Sequence, residues 1–353
     1  MSKSVKPVLA ITMGDPAGIG PEVALRALAD ESVYRQCRPL LVGDLGALEQ
    51  AMRLTGAALK VNSVTRAEDG EFRHGTVDLY DMGMVDTAQY EVGRVAPETG
   101  EAAFQYVLKA IELAQSEEVD GTVTGPIHKE AIHQAGHYFS GHTEIYAHYT
   151  KTERYAMLLV EENLRVIHVS THVSLRQACD LVRKERILEV IELLNEACLG
   201  FEIEKPRIAV AGLNPHASDG GLFGDEEEKE IIPAVEEARA RGMDVIGPEP
   251  ADTLFSKARG GDIDGCVAMY HDQGHIPFKV LGFQWDGEKR QMKSVRGVNI
   301  TLGLPIIRVS VDHGTAMDIA GKGTASPDAM RLALAYATKM ARQRRKALSG
   351  FQG

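Results

Sequence analysis

Short apolar runs alternate with amphipathic stretches along almost the whole chain, and this alternation restricts the fold more than any other feature. The apolar runs predict strands at Val8–Thr12, Pro39–Val42, Gly121–Thr124, Ala156–Val160, Arg165–Val169, Arg207–Ala211, Gly265–Tyr270 and Ile306–Val311. The helical periodicity predicts helices at Glu22–Leu28, Leu45–Leu54, Thr99–Gln115, Arg186–Leu199, Glu226–Arg241 and Asp328–Arg344. Helices of roughly 10–20 residues between strands are typical of crossover connections in sheets whose two faces are covered. The pattern therefore predicts an α/β fold with largely parallel sheets.

The length of the chain predicts two domains, because 353 residues exceed the usual size of a single hydrophobic core. A hydrophobic content of 44% and a charged content of 25% are typical of a soluble globular protein. The net charge of −11 argues against a nucleic-acid partner, which would require a basic surface to displace phosphate counterions.

The sequence shows neither a membrane span nor an export signal. No apolar run approaches the length of about 18 residues that suggests a span, and the N-terminus lacks the apolar segment of a signal peptide. The four cysteines (Cys37, Cys179, Cys198 and Cys266) form no CxxC pair, which favours reduced thiols over disulfides or a zinc–thiolate site. We therefore expect a cytoplasmic protein without a membrane partner.

The segment Gln284–Arg296 is the one break in composition along the chain. It is polar and charged and lies between two apolar stretches. This composition predicts a surface loop.

A Gly/Ala-rich segment, Asp312–Pro327, joins the last predicted strand to the last predicted helix. Residues without bulky side chains let a ligand approach the backbone N–H groups closely. Asp318 adds an acceptor that could bind the ribose hydroxyls of NAD and repel the 2′-phosphate of NADP. An ordinary tight turn between strand and helix is the alternative interpretation.

A second loop, Ile11–Glu22, follows the first predicted strand and opens a helix. Its glycines and prolines predict a sharp turn, and Pro21 suits the first helical position. On local grounds a purely structural turn is again the alternative.

Three histidines follow predicted strands: His172, His216 and His271. Ligands gather beyond the carboxyl ends of strands in parallel sheets, so the three side chains could converge. Neutral imidazole suits a divalent ion such as Zn²⁺. A single histidine of this kind is more often a hydrogen-bonded loop residue.

The sequence Gly141-His142-Thr143-Glu144 at a predicted helix start offers N–H groups and a hydroxyl to an anion, although it could be a simple N-cap. Lys279 and Arg308 have side chains that bind phosphate and carboxylate groups. Either charge could lie on the surface, but an arginine within an apolar strand is costly without an anionic partner.

The acid–base candidates are Lys129, Asp252 and Asp272. Asp272 adjoins His271, and each of the three residues could be structural instead. The two aspartates could equally orient the histidines.

These motifs together resemble two related families, in the same order from Ile11 to about Ala335. The loops at 11–22 and 312–327 resemble those of the β-decarboxylating isocitrate and isopropylmalate dehydrogenases. The segments at Ser170–His172, Gly212–Ala217, Tyr270–Gly274, Gly141–Glu144 and Gly297–Thr301 resemble the 4-hydroxythreonine-4-phosphate dehydrogenase family. The resemblance implies the two-domain isocitrate/isopropylmalate dehydrogenase-like fold with an active-site cleft between the domains.

The resemblance also implies the roles of individual residues, the cofactors and the assembly. It implies a cofactor-bearing domain at 1–128 plus 296–353 and a metal, substrate and dimerisation domain at 129–295. The metal ligands implied are His172, His216 and His271, for Zn²⁺ or else Mg²⁺ or Co²⁺, in a site shared across a homodimer. The substrate-binding residues implied are His142, Thr143, Lys279, Asn299 and Arg308. The NAD-binding residues implied are Gly14, His313, Gly314, Thr315 and Asp318.

The activity implied by the resemblance is NAD-dependent oxidation and decarboxylation of a 4-phosphorylated 3-hydroxy four-carbon acid. The first choice of substrate is 4-hydroxythreonine-4-phosphate, which would give 3-amino-2-oxopropyl phosphate. The alternative is 4-phospho-D-threonate or 4-phospho-D-erythronate, because Tyr270–Lys279 and Gly221–Glu227 look more like the catabolic branch of the family. The segment Gln284–Arg296 lies between Lys279 and Asn299, where it could reshape the pocket.

Three other functions are weaker hypotheses. A phosphate acyltransferase-like enzyme would leave the three histidines and Asp318 without a role. A non-catalytic binding protein would not need all of the implied metal-binding and substrate-binding residues to be present. Isocitrate dehydrogenase activity would require a metal site of aspartates rather than histidines.

Overall fold

The computed structural model describes residues 6–288 and 290–350. Its strands are β1 (Val8–Thr12), β2 (Arg38–Gly43), β3 (Lys60–Val64), β4 (Thr76–Asp81), β5 (Gly121–Thr124), β6 (Ala156–Glu161), β7 (Leu164–His168), β8 (Arg207–Ala211), β9 (Asp244–Glu249), β10 (Gly265–Ala268), β11 (Phe283–Asp286), β12 (Gln291–Val295), β13 (Val298–Leu302) and β14 (Arg308–Val311).

The helices are α1 (Gly20–Leu28), α2 (Glu31–Gln36), α3 (Leu45–Thr55), α4 (Pro97–Gln115), α5 (Lys129–Gln134), α6 (His142–Tyr149), α7 (Leu175–Asp180), α8 (Lys184–Gly200), α9 (Ile232–Ala240), α10 (Ala251–Arg259), α11 (His271–Gly282) and α12 (Asp328–Gly350). A π-helical turn, Glu227–Ile231, precedes α9. None of the helices described is long and apolar enough to cross a membrane.

The chain divides into two compact units. Unit 1 comprises the described residues up to Glu153 and from Leu304 onward, and unit 2 comprises Arg154–Gly303. Both divisions lie later in the chain than the boundaries expected after residues 128 and 295.

Unit 1 is built on six parallel strands in the order β3-β4-β2-β1-β5-β14. The central strands β1 and β5 are wholly buried, as expected for a parallel sheet covered on both faces. Helix α4 packs against β1 and β2, and α12 packs against β5 and β14. The predicted α/β class with parallel strands is confirmed here.

Unit 2 has the strand order β13-β6-β7-β10-β8-β9. The pairs β13–β6 and β6–β7 are antiparallel, and the strands from β7 to β9 are parallel. Helices α8 and α9 pack together, while α10 and α11 contact β10 and β7. The three adjacent parallel strands β7, β10 and β8 therefore end at a common edge.

The segment Gln284–Arg296 was expected to be a surface loop, and this expectation is wrong for most of its length. Strands β11 and β12 pair antiparallel, with Phe283 opposite Val295. Before a Gly-containing turn, Phe283 and Trp285 alternate with polar residues, and this period of two favours a strand over a loop. Lys289, which belongs to the segment, lies outside the described residues.

Gly14 shows how closely the backbone of unit 1 is packed next to β1. It has a φ of +77°, and a Cβ atom there would lie 2.5 Å from the carbonyl oxygen of Pro126. Only glycine avoids both the left-handed strain and this clash.

We predict that Gly14→Ala lowers the free energy of unfolding by about 1–3 kcal/mol more than Gly56→Ala does. Gly56 is the matched control, because it has a φ of +69° but no neighbouring atom within 4 Å of the point that a Cβ would occupy. Urea denaturation of both variants measures the difference. Equal losses of the free energy of unfolding in the two variants would show that a Cβ atom is accommodated beside Pro126.

Candidate functional site

Unit 1 contains a buried arginine beside the start of α6. Arg308 is 2% exposed, and its Nη2 donates to Thr124 Oγ1 at 3.2 Å and its Nη1 to Thr143 Oγ1 at 3.5 Å. The guanidinium lies 5.7 Å from the ring centre of Tyr146, close enough for a cation–π contact. Burial lowers the pKa of Arg308 to about 10. Tyr146 and the nearby carboxylate of Glu144 oppose this decrease, and the guanidinium stays charged at pH 7.

His142, the first residue of α6, faces the same arginine. Its Nε2 is buried without a hydrogen-bond partner. Burial, and to a lesser extent the charge of Arg308, holds the pKa of His142 well below its usual range, while a hydrogen bond to the backbone of Gly125 opposes this. His142 is therefore neutral at pH 7.

We call Thr124, His142, Thr143 and Arg308 the anion pocket. A buried cation, a hydroxyl pair and a helix N-terminus are groups that bind phosphate or carboxylate. The sequence predicted three of the four residues, and missed Thr124. The position of Thr124 at the carboxyl end of β5 was the available signal.

The two loops expected to bind NAD meet in unit 1. Ile19 N donates to Thr315 O at 2.9 Å, and a Cβ at Gly18 would lie 2.9 Å from Thr315 Cβ. Farther along the second loop, Lys322 Nζ donates to the carbonyl of Asp318, whose side chain is exposed. The loops are therefore held by mutual backbone contact.

The start of the second loop has the features of a ligand-binding backbone. Nothing lies within 4 Å of a Cβ position at Gly314. His313 Nδ1 is 3.0 Å from Gly314 O, and its buried Nε2 has no hydrogen-bond partner. Burial lowers the pKa of His313, so the ring is neutral. An open glycine and an unsatisfied imidazole nitrogen fit a polar cofactor.

Unit 2 brings four imidazoles together, and we call His168, His172, His271 and His275 the histidine cluster. The ring centres of His172 and His271 are 6.0 Å apart, and the rings of His271 and His275 stack at 3.6 Å. His275 Nδ1 lies 3.1 Å from His168 Nε2. The sequence predicted only two of these residues. The HxxxH spacing of His271 and His275, which places both on one face of a helix, could have identified a third.

Burial keeps the two inner members of the cluster neutral. Together with the neighbouring imidazoles, burial lowers the pKa of His168 to about 3 and that of His275 to about 4. His271 Nδ1 is 2.6 Å from Asp272 Oδ1. Because a carboxylate only accepts, this contact places the proton on Nδ1 and leaves the lone pair on Nε2.

His216 lies on a strained loop after β8. His216, Ala217, Ser218 and Asp219 all have positive φ angles, a conformation rare for residues other than glycine. The buried carboxylate of Glu227 anchors the start of this loop by accepting hydrogen bonds from the N–H groups of residues 213 and 214 and from the Asn214 side chain. Glu227 was not among the site residues predicted from the sequence.

The described part of the chain contains no group of three metal-binding side chains close enough to share one ion. The donor chemistry nevertheless fits a divalent ion at His172 and His271, which are neighbours, and His271 has an orienting carboxylate. Gln273 connects this helix to the His216 loop, since its Nε2 donates to Gly212 O at 2.7 Å. One chain thus brings the imidazoles of His172 and His271 together, while His216 lies on the loop that Gln273 contacts.

The remaining candidates are distributed over both units. Asp252 and Asp272 line one cavity of about 600 Å³ in unit 2. Lys129 is exposed at the start of α5 in unit 1. In unit 2, Lys279 Nζ lies 5.3 Å from the ring centre of Phe283, and Asn299 pairs with Leu159 in the sheet.

We predict that the metal-free protein loses stability as the pH falls below about 6.5. The folded-state pKa values of His168 and His275 lie below the ordinary 6.5, so the unfolded chain binds more protons in this range. Their contribution is complete above pH 6.5 and decreases toward pH 4 by about 1.4 kcal/mol per pH unit for each histidine. Urea denaturation across this range, with a chelator present, measures the slope.

His168→Gln should reduce the slope of the free energy of unfolding against pH by up to the equivalent of one bound proton, about 1.4 kcal/mol per pH unit. His148→Gln, at an exposed histidine of unit 1, is the matched control and should leave the slope unchanged. An equal slope in the His168 variant would contradict the assignment of a buried neutral ring.

Known proteins are similar to this chain along nearly its whole length. The family model described as pyridoxal phosphate biosynthetic protein PdxA matches residues 35–337. The D-threonate 4-phosphate dehydrogenase of Cupriavidus necator is 48% identical over 339 residues, covering 96% of this chain and 98% of that protein.

Two solved structures are similar along nearly the whole chain. A 4-hydroxythreonine-4-phosphate dehydrogenase from Burkholderia phymatum is 46% identical with a TM-score of 0.80, covering 96% of this chain and 99% of that one. The corresponding enzyme from Klebsiella pneumoniae is 41% identical with a TM-score of 0.83 and the same coverage. Two of the three substrates considered from the sequence, 4-hydroxythreonine-4-phosphate and D-threonate 4-phosphate, occur among these names, and the predicted class of enzyme is confirmed. The chain is a dehydrogenase that belongs to the PdxA family.

Proposed function

We propose that this dehydrogenase uses NAD to oxidise the C3 hydroxyl of a 4-phosphorylated four-carbon hydroxy acid, and that the product is decarboxylated. The substrate that we favour is D-threonate 4-phosphate, for which the Cupriavidus necator relative is named. The observation that carries the proposal is the anion pocket, where Arg308 is buried beside two hydroxyls and a neutral imidazole.

An anionic substrate would be a further partner for the buried charge of Arg308, which already lies near Glu144. A guanidinium forms paired hydrogen bonds with a phosphate or a carboxylate, and these are strong where water is excluded. The hydroxyls of Thr124 and Thr143, which hold the guanidinium, are each able to donate to the same anion. The free-energy cost of burying this charge thereby becomes a source of binding energy.

His142 would contribute an acceptor in the same pocket. Its buried Nε2 lacks a partner and its depressed pKa keeps it neutral, so a lone pair is available to a substrate hydroxyl. An uncharged ring beside Arg308 also avoids repulsion between two cations.

The NAD-binding role is proposed for Gly14, His313, Gly314, Thr315 and Asp318. NAD would accept the hydride that leaves the substrate carbon. The exposed Asp318 carboxylate suits ribose hydroxyls and disfavours a 2′-phosphate, which implies NAD rather than NADP.

His172 and His271, with His216, would hold a divalent ion, for which Zn²⁺ is the first choice and Mg²⁺ or Co²⁺ the alternatives. Such an ion would supply a Lewis acid that polarises the ketone during decarboxylation. Asp272 orients His271 through Nδ1, and either Asp272 or Asp252 could transfer a proton at the rim of their shared cavity. Lys129 is the alternative base. Lys279 and Asn299 complete the proposed set of substrate residues.

The second candidate substrate is 4-hydroxythreonine-4-phosphate, for which the two solved relatives are named. It differs from D-threonate 4-phosphate chiefly in carrying an ammonium group at C2. The anion pocket suits the phosphate or the carboxylate of either compound, so the choice between them rests on the relatives alone.

We predict NADH formation with D-threonate 4-phosphate in the presence of Zn²⁺, Mg²⁺ or Co²⁺, with a kcat/KM above that for 4-phospho-D-erythronate and 4-hydroxythreonine-4-phosphate. Arg308→Lys should lower kcat/KM by about 10–150-fold, the worth of a charge-assisted bond of 1.5–3 kcal/mol. Absorbance of NADH measures both, and a parallel assay with NADP tests the role of Asp318.

Arg35→Lys is the matched control, because Arg35 forms an exposed ion pair with Glu31 on α2. It should leave the kinetics unchanged. Preference for the amino acid would establish the second candidate, and absence of turnover with all three compounds would refute the proposed function.

We also propose a homodimer that completes the metal site. Each histidine-bearing segment of unit 2 carries large exposed apolar side chains: Val173 and Leu175 beside His172, Leu222 and Phe223 after His216, and Ile276 and Val280 on α11 with His271. Apolar surface of this kind is typical of protein interfaces. A second copy covering it would bring further imidazoles to the pair that one chain supplies.

We predict that Val280→Asp shifts the protein from dimer to monomer and weakens Zn²⁺ binding, because a carboxylate would be buried in an apolar interface. Val280 is 77% exposed, so the folded monomer should tolerate the change. Leu348→Asp, at a 63% exposed leucine on α12 of unit 1, is the control. Light scattering measures the mass, and an unchanged dimer in the Val280 variant would exclude α11 from the interface.

A further inference from the structure

His275 is fixed in one tautomer by its neighbours. Its Nδ1 lies 3.0 Å from the carbonyl oxygen of His271 and 3.1 Å from Nε2 of His168. A carbonyl only accepts, so this nitrogen carries the proton and donates to both atoms. His168 then accepts through Nε2 and carries its own proton on Nδ1, which faces Met157 O at 3.5 Å.

The helix is adapted to this hydrogen bond. A Cβ atom at Gly274 would lie 2.4 Å from His168 Nε2, so any other residue at this position would separate His168 from α11. His168 is 1% exposed and His275 is 7% exposed, so water does not compete for the bond. The pair is therefore a buried, internally satisfied element at the end of β7.

The ring of His275 packs against the proposed metal ligand. His271 and His275 are one helical turn apart, with ring centres 3.6 Å apart and ring planes 10° apart. Asp272 holds one edge of the His271 ring through Nδ1, and the stacked ring restricts its rotation. These two contacts together determine the direction in which Nε2 of His271 presents its lone pair.

We infer that His275, anchored by His168, is a positioning residue that holds the His271 ring in its metal-binding orientation without itself binding the metal. This inference rests on the metal site of the proposed function. Partners that orient a metal-binding histidine contribute to affinity because the free protein does not have to immobilise the ring on binding.

The test is metal binding by the full-length protein after the metal has been removed. Titration with Co²⁺, followed by its visible absorption, reports both the dissociation constant and the coordination of the ion, and calorimetry with Zn²⁺ provides a second affinity. We expect His275→Ala to raise both dissociation constants by about 10–100-fold while the positions of the Co²⁺ bands stay the same. His275→Phe should lose less, because a flat ring still packs on His271.

His137→Ala is the matched control, since His137 stacks on Phe104 in unit 1 at 3.7 Å, far from the cluster in sequence. It should leave the affinity unchanged. If the alanine variant proves unstable without metal, the phenylalanine variant supplies the comparison. Long-range ¹H–¹⁵N correlation spectra of the metal-free wild type should show both His168 and His275 protonated at Nδ1.

Three other outcomes would contradict the positioning role of His275. An unchanged affinity in His275→Ala, or a different tautomer, would refute the positioning role while leaving the metal site intact. A shift of the Co²⁺ bands would show that His275 is itself a ligand, which also contradicts the inference. If the wild type binds neither ion, the metal site of the proposed function fails, and the inference fails with it.

Discussion

Parallel pairing of neighbouring strands is the constraint on which both groups of functional residues depend. In unit 1, β1, β5 and β14 run in the same direction, so the loops that follow them leave from one edge of the sheet. In unit 2 the same is true of β7, β10 and β8. Residues far apart in the chain are therefore neighbours in each unit, although no local feature of the sequence connects them.

Burial of ionisable groups acts in opposite ways in the two units. In unit 1 it opposes the charge of Arg308, which is nevertheless retained. In unit 2 it keeps His168 and His275 uncharged, which preserves lone pairs for hydrogen bonding. One physical effect, the cost of removing a charge from water, thus acts on a retained guanidinium in one unit and keeps a group of imidazoles neutral in the other.

The strands that could be predicted were those in the buried centre of each sheet. β1, β5 and β8 were placed to the residue, because continuous apolar runs have few other solutions in a covered parallel sheet. The edge strands β3 and β9 were missed, since a strand with one exposed side carries a weaker apolar signal. Strands β4 and β13 were also missed although both are largely buried, because polar residues interrupt their apolar runs. The hairpin of β11 and β12 was mistaken for a loop because the segment is polar overall.

The sequence by itself determined the class of fold, the class of enzyme and most of the candidate residues, because these depend on local periodicity and on short motifs. Tertiary structure decided which of those residues are neighbours and which unpredicted ones support them. His168 looks like the end of an apolar strand, and only the packing of β7 against α11, permitted by Gly274, makes it the partner of His275. Such contacts depend on distances between segments about 100 residues apart, and a one-dimensional pattern does not encode those distances.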